Sequence, residues 1–438
     1  MSHSLAPTAG PERIGALDLI RGVALLGILF VNIQVFGEAF GTYTVLKPEA
    51  DEGSAGAAAF CFVAVFCATK FYPIFSMLFG VGLAVQWSRA VAQGRSYTAY
   101  GVRRLLSLMV VGLAHGLLIW YGDILFAYLI AGLLTLPLLK AKPKTLLIVA
   151  GCILALSTLI SAAFAAVTIG MAQPPNDAAA AAAMLDPSLP PFDRFWEVFA
   201  SGQIKAGPQD PLWTMPETEA MREGPWAQAF YFRALSFAFI LFIMLIGMGW
   251  GIWALFLTGV ALYKLGFFTP SRAAWHRRLA AVSLPVGLAM ASGAHLMMGD
   301  KPGPLVMFGA GLLGGAGAIA TSLGYVGALM LFAHSAALSA LKGTVSKAGR
   351  MGLTSYLLES VIATALFYHW GLQWFGETTR MERMVLVLLI YLAVVLIANV
   401  WLRVFLYGPM EWLWRTVTYL RPQPMLRRAG TPLAAAAS

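Results

Sequence analysis

The sequence predicts an all-α fold, a polytopic transmembrane helical bundle of about ten helices, and three observations support this class. Hydrophobic residues make up 59% of the 438 residues and charged residues 11%, whereas an ordinary soluble domain has about 25% charged residues. The apolar residues lie in runs of about 20, long enough to cross a hydrocarbon core about 30 Å thick. Lys and Arg cluster in every second loop between the runs, as they do in cytoplasmic loops.

Ten apolar runs qualify as membrane spans. They cover residues 14–38, 57–88, 103–120, 122–140, 144–170, 229–266, 279–298, 304–338, 350–374 and 384–407. The sixth run is too long for one upright helix, so we expect it to tilt strongly or to break near the glycines of GMGWG. Because the basic loops are the even-numbered ones, both termini are predicted to be cytoplasmic. The net charge of +10 therefore reflects topology in a lipid bilayer and does not indicate nucleic-acid binding.

The spans divide the chain into four regions. Residues 1–170 form an N-terminal transmembrane half of five helices, and residues 171–228 form an external loop. Residues 229–415 form a C-terminal half of five helices, and residues 416–438 are predicted to be a basic, disordered cytoplasmic tail. In the external loop, FDRFWEVF suits a helix at the bilayer surface, either covering an outward cavity or having no role in substrate binding.

The first span, LDLIRGVALLGILFVN, carries three polar residues on one face. Placing residues at steps of 100° puts Asp18, Arg21 and Asn32 within about 60° of one another. Such a face must turn toward protein or toward a water-filled cavity. Asp18 and Arg21, three residues apart, can form an ion pair. The pair either fixes the helix to its neighbours or lines a site.

Further polar residues lie in the second and ninth spans. Lys70 lies within the apolar run TKFYPIFSMLFGVGLA, close to Ser76, and must snorkel outward or meet an acid. Tyr356 and Glu359 come early in the ninth span, where Glu359 is the only acid and is expected to pair with a base or face a cavity. His369 follows near the external end, as an interfacial residue or as part of an outward cavity.

The third and fourth spans form a hairpin that contains the best candidate for a general base. His115 lies inside the third helix, and Asp123 follows the turn. A lone histidine on an apolar helix is usually a packing residue, but an imidazole held by a carboxylate can act as a base near neutral pH. The sequence carries no phosphate-binding loop, dinucleotide fingerprint or zinc motif. We therefore expect no metal.

Several motifs together resemble one family. RIGALDLIRGVALLGILFVN, KFYPIFSMLFGVGLA, RRLLSLMVVGLAHGLLIWYGDILFAYLIAGLL, GRMGLTSYLLESVI and GPMEWLWR are similar to the YeiB-like proteins of the bacterial inner membrane. That family carries domain of unknown function 418 in its C-terminal half. The resemblance implies a multi-pass protein of the inner membrane.

The N-terminal half also resembles the transmembrane acyltransferase group, which includes the heparan-glucosaminide acetyltransferases. That group takes an acyl unit from cytoplasmic acyl-CoA and places it on an acceptor across the membrane. Many members share an LDxxRG start, here Leu17, Asp18, Arg21 and Gly22. Asn32 stands where one branch has a catalytic histidine, and residues 39–56 lack the histidine of another. We therefore expect His115 with Asp123 to supply the base, with His369 in reserve.

These observations leave three functions open. The first is an acyltransferase with acyl-CoA as co-substrate, in which Arg103 and Arg104 bind the CoA phosphates, although both could serve topology alone. Its acceptor would be a hydroxyl or amine of a small molecule or an envelope glycan. The second is a transporter or exporter of a small or lipid-linked solute. The third is a non-catalytic assembly or sensor subunit. The sequence does not decide whether the protein is an enzyme, nor its oligomeric state.

Overall fold

A computed structural model describes residues 15–43, 53–171, 174–299 and 302–427, and every structural statement below concerns these ranges. The chain there is helical, apart from turns and one isolated bridge between Phe405 and Leu426. The predicted all-α class is confirmed.

The described part of the N-terminal half consists of seven α-helices. They are α1 (Gly15–Phe36), α2 (Phe40–Tyr43), α3 (Gly53–Phe62), α4 (Phe71–Ala92), α5 (Thr98–Ala114), α6 (Leu125–Thr135) and α7 (Pro143–Met171). π-Helical turns extend α3 over Val63–Cys67 and α5 over His115–Ile119, and a 3-10 turn extends α6 over Leu136–Lys140.

Three α-helices follow outside the spans, and nine more complete the described chain. The first three are α8 (Ala178–Met184), α9 (Pro191–Ala200) and α10 (Pro211–Glu223), with a 3-10 turn at Gly207–Gln209. The others are α11 (Trp226–Ile243), α12 (Gly249–Lys264), α13 (Ala273–Arg278), α14 (Leu284–Met297), α15 (Pro304–His334), α16 (Ser339–Arg350), α17 (Gly352–Phe367), α18 (Arg380–Val404) and α19 (Pro409–Tyr419). A 3-10 turn at Pro270–Arg272 precedes α13, and a π-helical turn at Leu279–Ser283 joins α13 to α14.

The helices account for all ten predicted spans. Eight helices in the described ranges are long and apolar enough to cross a membrane. Two shorter apolar helices, Leu125–Lys140 and Gly352–Phe367, coincide with the fourth and ninth runs. The chain is therefore a multi-pass membrane protein. We call the end that carries α8–α10 the outer end, and the end that carries α16 and α19 the inner end.

The sixth run is one unbroken helix from Trp226 to Lys264. The alternative of a break near GMGWG is therefore wrong. A π-helical turn at Met244–Met248 joins α11 to α12 and inserts one extra residue without interrupting the helix.

The ninth run extends to residue 374, but its helix ends at Phe367. Beyond it the chain folds back, so that the amide of Leu372 donates to the carbonyl oxygen of Ala365 at 2.9 Å. The amide of Phe375 donates in the same way to Phe367 at 3.0 Å. The apolar residues after Phe367 therefore form a turn packed on the helix, which hydropathy alone cannot distinguish from a further helical turn.

The predicted disordered tail is ordered in its first part. Helix α19 continues to Tyr419, and the amide of Leu406 donates to the carbonyl oxygen of Met425 at 2.9 Å. The amide of Arg427 donates back to Val404 at 3.0 Å. Backbone pairing thus holds residues 425–427 against the end of α18, and the prediction of disorder is wrong for residues 416–427. The rest of the predicted tail lies outside the described residues.

The external loop folds as a small helical cap, formed by α8, α9 and α10. The ring of Phe195 on α9 packs against Trp213 of α10 at 4.8 Å and against Phe232 of α11 at 5.3 Å between centroids. Trp196 and Phe199 on the same helix leave about half of their surface exposed. This amphipathic arrangement agrees with a helix that lies at the membrane interface.

A buried carboxyl attaches the cap to the end of the first span. The amide of Phe40 donates to Oε1 of Glu217 on α10 at 3.2 Å, and Glu217 is fully buried. Burial raises the pKa of Glu217 from 4.5 to about 8, although the bond from Phe40 acts in the opposite sense. The folded protein therefore retains this proton over a pH range in which the unfolded chain loses it.

The wild type is expected to lose stability as pH rises, and we expect the Glu217→Gln variant to lack this loss. Between about pH 5 and about pH 8 unfolding releases the Glu217 proton, so the wild type loses up to about 1.4 kcal/mol per pH unit. The glutamine variant lacks this contribution, so its melting temperature in detergent should exceed that of the wild type increasingly as pH rises. Glu223→Gln, an exposed position on the same helix, is the control. A difference between Glu217→Gln and wild type that does not change with pH would contradict the prediction.

A close helix crossing between the two halves joins α4 to α12 through two glycines. A Cβ placed on Gly80 would lie 2.1 Å from the carbonyl oxygen of Phe256. A Cβ placed on Gly259 would lie 2.0 Å from the carbonyl oxygen of Met77. Small residues allow such backbone approach between membrane helices. This crossing fixes the two halves of the chain to each other.

Candidate functional site

A cavity of about 690 Å³ lies inside the bundle. On α1 its wall runs from Leu17 to Val35, which lie eighteen residues apart and therefore about 27 Å apart along the helix axis. That length is close to the thickness of a hydrocarbon core, about 30 Å. The cavity therefore extends through most of the membrane.

The inner end of the cavity is rich in arginine. Its wall includes four guanidinium side chains, drawn from α1, α5, α16 and α19: Arg21, Arg104, Arg350 and Arg415. Two carboxylates, Asp18 and Glu411, also line the cavity. The formal charge at this end is therefore positive, which favours an anionic group.

The polar groups of the inner end are positioned by specific contacts. Nη1 of Arg21 donates to Oδ1 of Asp18 at 3.0 Å, which confirms the predicted ion pair. The guanidinium of Arg104 stacks over the ring of Trp414, 3.6 Å from its centroid. These contacts hold two of the arginines at the cavity wall.

Glu411 fixes α19 against the start of α17. Its Oε1 accepts the amides of Leu353 at 2.7 Å and Thr354 at 3.1 Å. Its Oε2 accepts the hydroxyl of Thr354 at 2.5 Å. A carboxylate in this position satisfies the free amides of a helix N-terminus and interacts favourably with the helix dipole. Glu411 thereby places Trp414 and Arg415, one turn further along α19, at the cavity.

The middle of the cavity is apolar. Side chains from α4, α5 and α11 form this part of the wall, including Phe75, Leu78, Phe79, Leu108 and Ile243. Nothing in this stretch offers a charge to a ligand. An extended hydrocarbon chain would fit it better than a polar solute would.

Eleven residues after Arg104, about 16 Å along the helix toward the outer end, a histidine and a carboxylate lie directly behind the wall. Nδ1 of His115 lies 2.9 Å from Oδ2 of Asp123, and both side chains are almost fully buried. The amide of Phe126 donates to the other oxygen of Asp123 at 3.1 Å. The ring of His115 packs against Tyr356, 5.1 Å between centroids, and Tyr356 lines the cavity. The predicted His115–Asp123 pair is therefore present.

The pair leaves one imidazole nitrogen available. Asp123 favours the tautomer that carries the proton on Nδ1, so that Nε2 becomes an acceptor. Nε2 of His115 has no hydrogen-bond partner among the residues that the structure describes. A histidine held in this way has the arrangement of a general base.

Three of the four π-helical turns in the described chain border the cavity. Cys67 ends the first of them and lines the wall. His115 begins the second, which is followed by the wall residue Trp120. Met244 and Met248 are the ends of the third. Such turns often occur at functional sites in helices, which supports this cavity as the candidate site.

The structure places the predicted site residues in two groups. Five of them line the cavity directly: Asp18, Arg21, Asn32, Arg104 and Tyr356. Ser76 stands behind the wall, where its hydroxyl donates to the carbonyl oxygen of Tyr72 at 2.8 Å and lies 3.2 Å from the hydroxyl of Tyr128. Ser76 therefore supports two residues that do line the cavity.

Lys70 and Arg103 have other roles. Nζ of Lys70 is buried and donates to the carbonyl oxygen of Ala64 at 2.7 Å, within the π-helical turn after α3. The expectation that Lys70 snorkels outward or meets an acid is wrong, because a carbonyl oxygen satisfies the ammonium. Nε of Arg103 donates to the carbonyl oxygen of Thr418 at 3.3 Å, and its side chain is absent from the cavity wall.

Glu359 and His369 do not reach the cavity wall either. Glu359 is buried in α17, and its Oε1 has no hydrogen-bond partner among the described residues. His369 packs beneath the cap, where its amide donates to the carbonyl oxygen of Met221 at 2.8 Å. Burial and the nearby charge of Arg233 lower the pKa of His369. His369 is therefore a residue of the contact between cap and bundle.

Sequence reasoning missed several residues of the inner end: Arg350, Glu411, Trp414 and Arg415. The sequence around Arg350 predicted only a cytoplasmic loop, because its basic residues are typical of such loops. The segment GPMEWLWR did carry a detectable signal, because its apolar and charged residues alternate with helical spacing in an amphipathic pattern. Its packing against α5 and α17 is a long-range contact that no local pattern reveals.

Comparison with known proteins gives consistent relatives. A family described as "Protein of unknown function (DUF418)" matches residues 262–421. The chain is 30% identical over 436 residues to "Uncharacterized protein YxaH" of Bacillus subtilis, covering 97% of this chain and 99% of that protein. It is 28% identical over 425 residues to "Uncharacterized protein YeiB" of Escherichia coli, covering 95% and 99%. No solved structure matches the chain.

Proposed function

We propose a function from this premise: the chain belongs to the YeiB-like family of membrane proteins. The proposed activity is acyl transfer from acyl-CoA, bound at the inner end, to an acceptor hydroxyl or amine at the outer end. In the predicted orientation these ends face the cytoplasm and the outer face of the bacterial inner membrane. The resemblance of the LDxxRG start to transmembrane acyltransferases supports this activity, because Asp18 and Arg21 line the inner end.

One observation carries the proposal. A single cavity connects an arginine-rich inner end, an apolar middle and an outer end that borders the His115–Asp123 pair. Guanidinium groups bind phosphates well, so the inner end suits the phosphates of CoA. The middle offers a path for the pantetheine arm, which carries the thioester toward the side of the cavity where His115 offers a base for the acceptor.

The chemical step follows from the roles of these groups. The acceptor oxygen or nitrogen attacks the thioester carbonyl, and Nε2 of His115 takes its proton as the new bond forms. The carbon–sulfur bond then breaks, and the departing thiolate takes the proton from the imidazolium to give CoA thiol. Asp123 holds the ring and stabilises its charged form. Because Tyr356 stands between His115 and the cavity, its ring must move when the acceptor binds.

Arginine variants test where the donor binds. We expect Arg104→Gln and Arg415→Gln each to weaken binding of acyl-CoA by about 10- to 100-fold, because each removes a charge-assisted hydrogen bond. Arg103→Gln is the matched control, since this neighbouring side chain does not line the cavity. Binding is measured by thermal stabilisation of the detergent-purified protein with acyl-CoA thioesters from acetyl to palmitoyl. Equal effects of Arg103→Gln and Arg104→Gln would contradict the assignment.

Failure of every acyl-CoA to bind or to stabilise the wild type would overturn the proposed function. The length of the cavity also favours a second candidate, a transporter of a small or lipid-linked solute, because the cavity passes through most of the membrane. Solute uptake into proteoliposomes, driven by a pH gradient and independent of acyl-CoA, would establish that alternative.

A further inference from the structure

The apolar middle of the cavity has a neighbour on the outside of the bundle. A small groove of about 50 Å³ lies between α6 and the helix formed by α11 and α12. Apolar side chains line it, among them Ile130, Leu134, Leu245 and Trp250, which are exposed on the surface of the bundle. In a membrane protein such a surface contacts lipid chains. The groove is therefore in direct contact with the bilayer.

One side chain belongs to the wall of this groove and also to the wall of the cavity. This side chain is that of Met244. Leu125 and Tyr128 of α6 face the cavity, whereas the small residues Ala127 and Ala131 of the same helix face the groove. The partition between bilayer and cavity is thus thin at this place.

The local structure makes the partition easy to open. Met244 begins the π-helical turn that contains two residues of the GMGWG motif, and Gly249 follows the turn in the groove wall. Methionine is unbranched and flexible, so it can change rotamer without moving the backbone. A change of rotamer at Met244 would join the groove to the cavity without displacing a helix.

We infer that this groove is a lateral entry through which an acyl chain of a bilayer lipid passes into the cavity. Met244 lies twenty residues before Lys264, about 30 Å from that inner end of the helix. It also lies eighteen residues after Trp226, so the entry opens near the middle of this long helix. The chain enters the apolar middle beside Met244, and the lipid headgroup lies toward the outer end, on the side of His115 and Asp123.

The binding of a lipid chain stands independently of the proposed acyl transfer. The identification of this lipid as the acceptor rests on that proposed function. In that case the acceptor is an amphiphile whose hydroxyl or amine belongs to its headgroup, and a soluble small molecule is excluded. The experiment below uses no acyl-CoA, so its failure and the failure of acyl transfer are distinguishable.

Photochemical labelling tests the entry. The probe is a phosphatidylglycerol that carries a diazirine near the end of one acyl chain, mixed into vesicles that contain the full-length protein. After irradiation, labelled residues are mapped by mass spectrometry. We expect labels on cavity residues such as Tyr128 and Ile240 as well as on the groove residues Leu245 and Trp250. Labels confined to the groove and the outer surface would overturn the proposal.

Substitution of Met244, which lies between the groove and the cavity, tests this route of entry specifically. Met244→Trp should lower labelling of Tyr128 and Ile240 at least about fivefold, because the larger side chain fills the passage, while labelling of Leu245 persists. Val110→Trp, on a lipid-exposed face of α5, is the matched control and should change neither. Met244→Ala should retain or increase cavity labelling. If Met244→Trp leaves cavity labelling unchanged, lipid reaches the cavity by another route and the inference is wrong.

Discussion

His115→Ala is expected to lower acyl transfer by about 100- to 10,000-fold, the usual contribution of a positioned general base. The reason is that Nε2 of His115 is the acceptor nitrogen left available by the bond between Nδ1 and Asp123. Turnover is measured as acceptor-dependent release of CoA thiol by purified protein in detergent. Binding of acyl-CoA should be nearly unchanged, because the arginines lie at the other end of the cavity.

Two further variants separate chemistry from folding. Asp123→Asn keeps a side-chain oxygen for the amide of Phe126 but presents an amide donor to Nδ1, which moves the imidazole proton to Nε2. We expect a loss similar to that of His115→Ala with little change in melting temperature. His334→Ala, an exposed histidine at the inner end, should retain activity. Full activity in a correctly folded His115→Ala protein would exclude His115 as the base.

The second large effect concerns stability. Gly80→Ala and Gly259→Ala should each lower the free energy of unfolding by about 2 to 4 kcal/mol, since the new Cβ meets a backbone oxygen on the facing helix. Neither oxygen belongs to a flexible side chain, so α4 and α12 must separate. The measurement is the loss of the monodisperse species on heating in detergent.

The control substitution is expected to leave stability unchanged or to raise it, whereas the two substitutions above lower it. Gly151 lies in α7, and a Cβ placed there meets nothing within 4 Å. Gly151→Ala should therefore leave stability unchanged or raise it by up to about 1 kcal/mol, because alanine favours a helix. The double variant Gly80→Ala/Gly259→Ala should cost less than the two single losses added together, because both act on one crossing. Equal effects at Gly80 and Gly151 would contradict the close approach.

The sequence was sufficient for the spans because membrane hydropathy is a local property. Each of the ten apolar runs coincides with helical structure, since about 20 apolar residues have few other stable arrangements in a bilayer. The second run is divided between α3 and α4 by a turn at residues 68–70. Local sequence patterns do not predict the structure where tertiary contacts determine the end of a helix. The turn after Phe367 is as apolar as the helix before it, and only its return onto α17 ends the helix.

Part of the candidate site was predictable because helical periodicity, like hydropathy, is a local property of the sequence. Helical periodicity placed Asp18, Arg21 and Asn32 on one face, and all three line the cavity. Helical periodicity could not show which of Arg103 and Arg104 lines the cavity. The position of Arg104 depends on its contact with Trp414, which is 310 residues away in sequence. Arg350 and Arg415 join the inner end because α16 packs against α1 and α19 packs against α5. Their roles in binding stay predictions.

The close crossing of α4 and α12 also affects whether one half of the chain can form a stable unit alone. The recognised family segment begins at residue 262, near the end of α12, and includes α16, α17 and α19. The opposing wall of the cavity comes from α1, α4, α5 and α6, which lie before that segment. The segment is therefore half of an enclosure and not an autonomous unit. Expressed alone, it would expose to solvent and lipid the surfaces that the first half normally covers, so the cavity needs both halves of the chain.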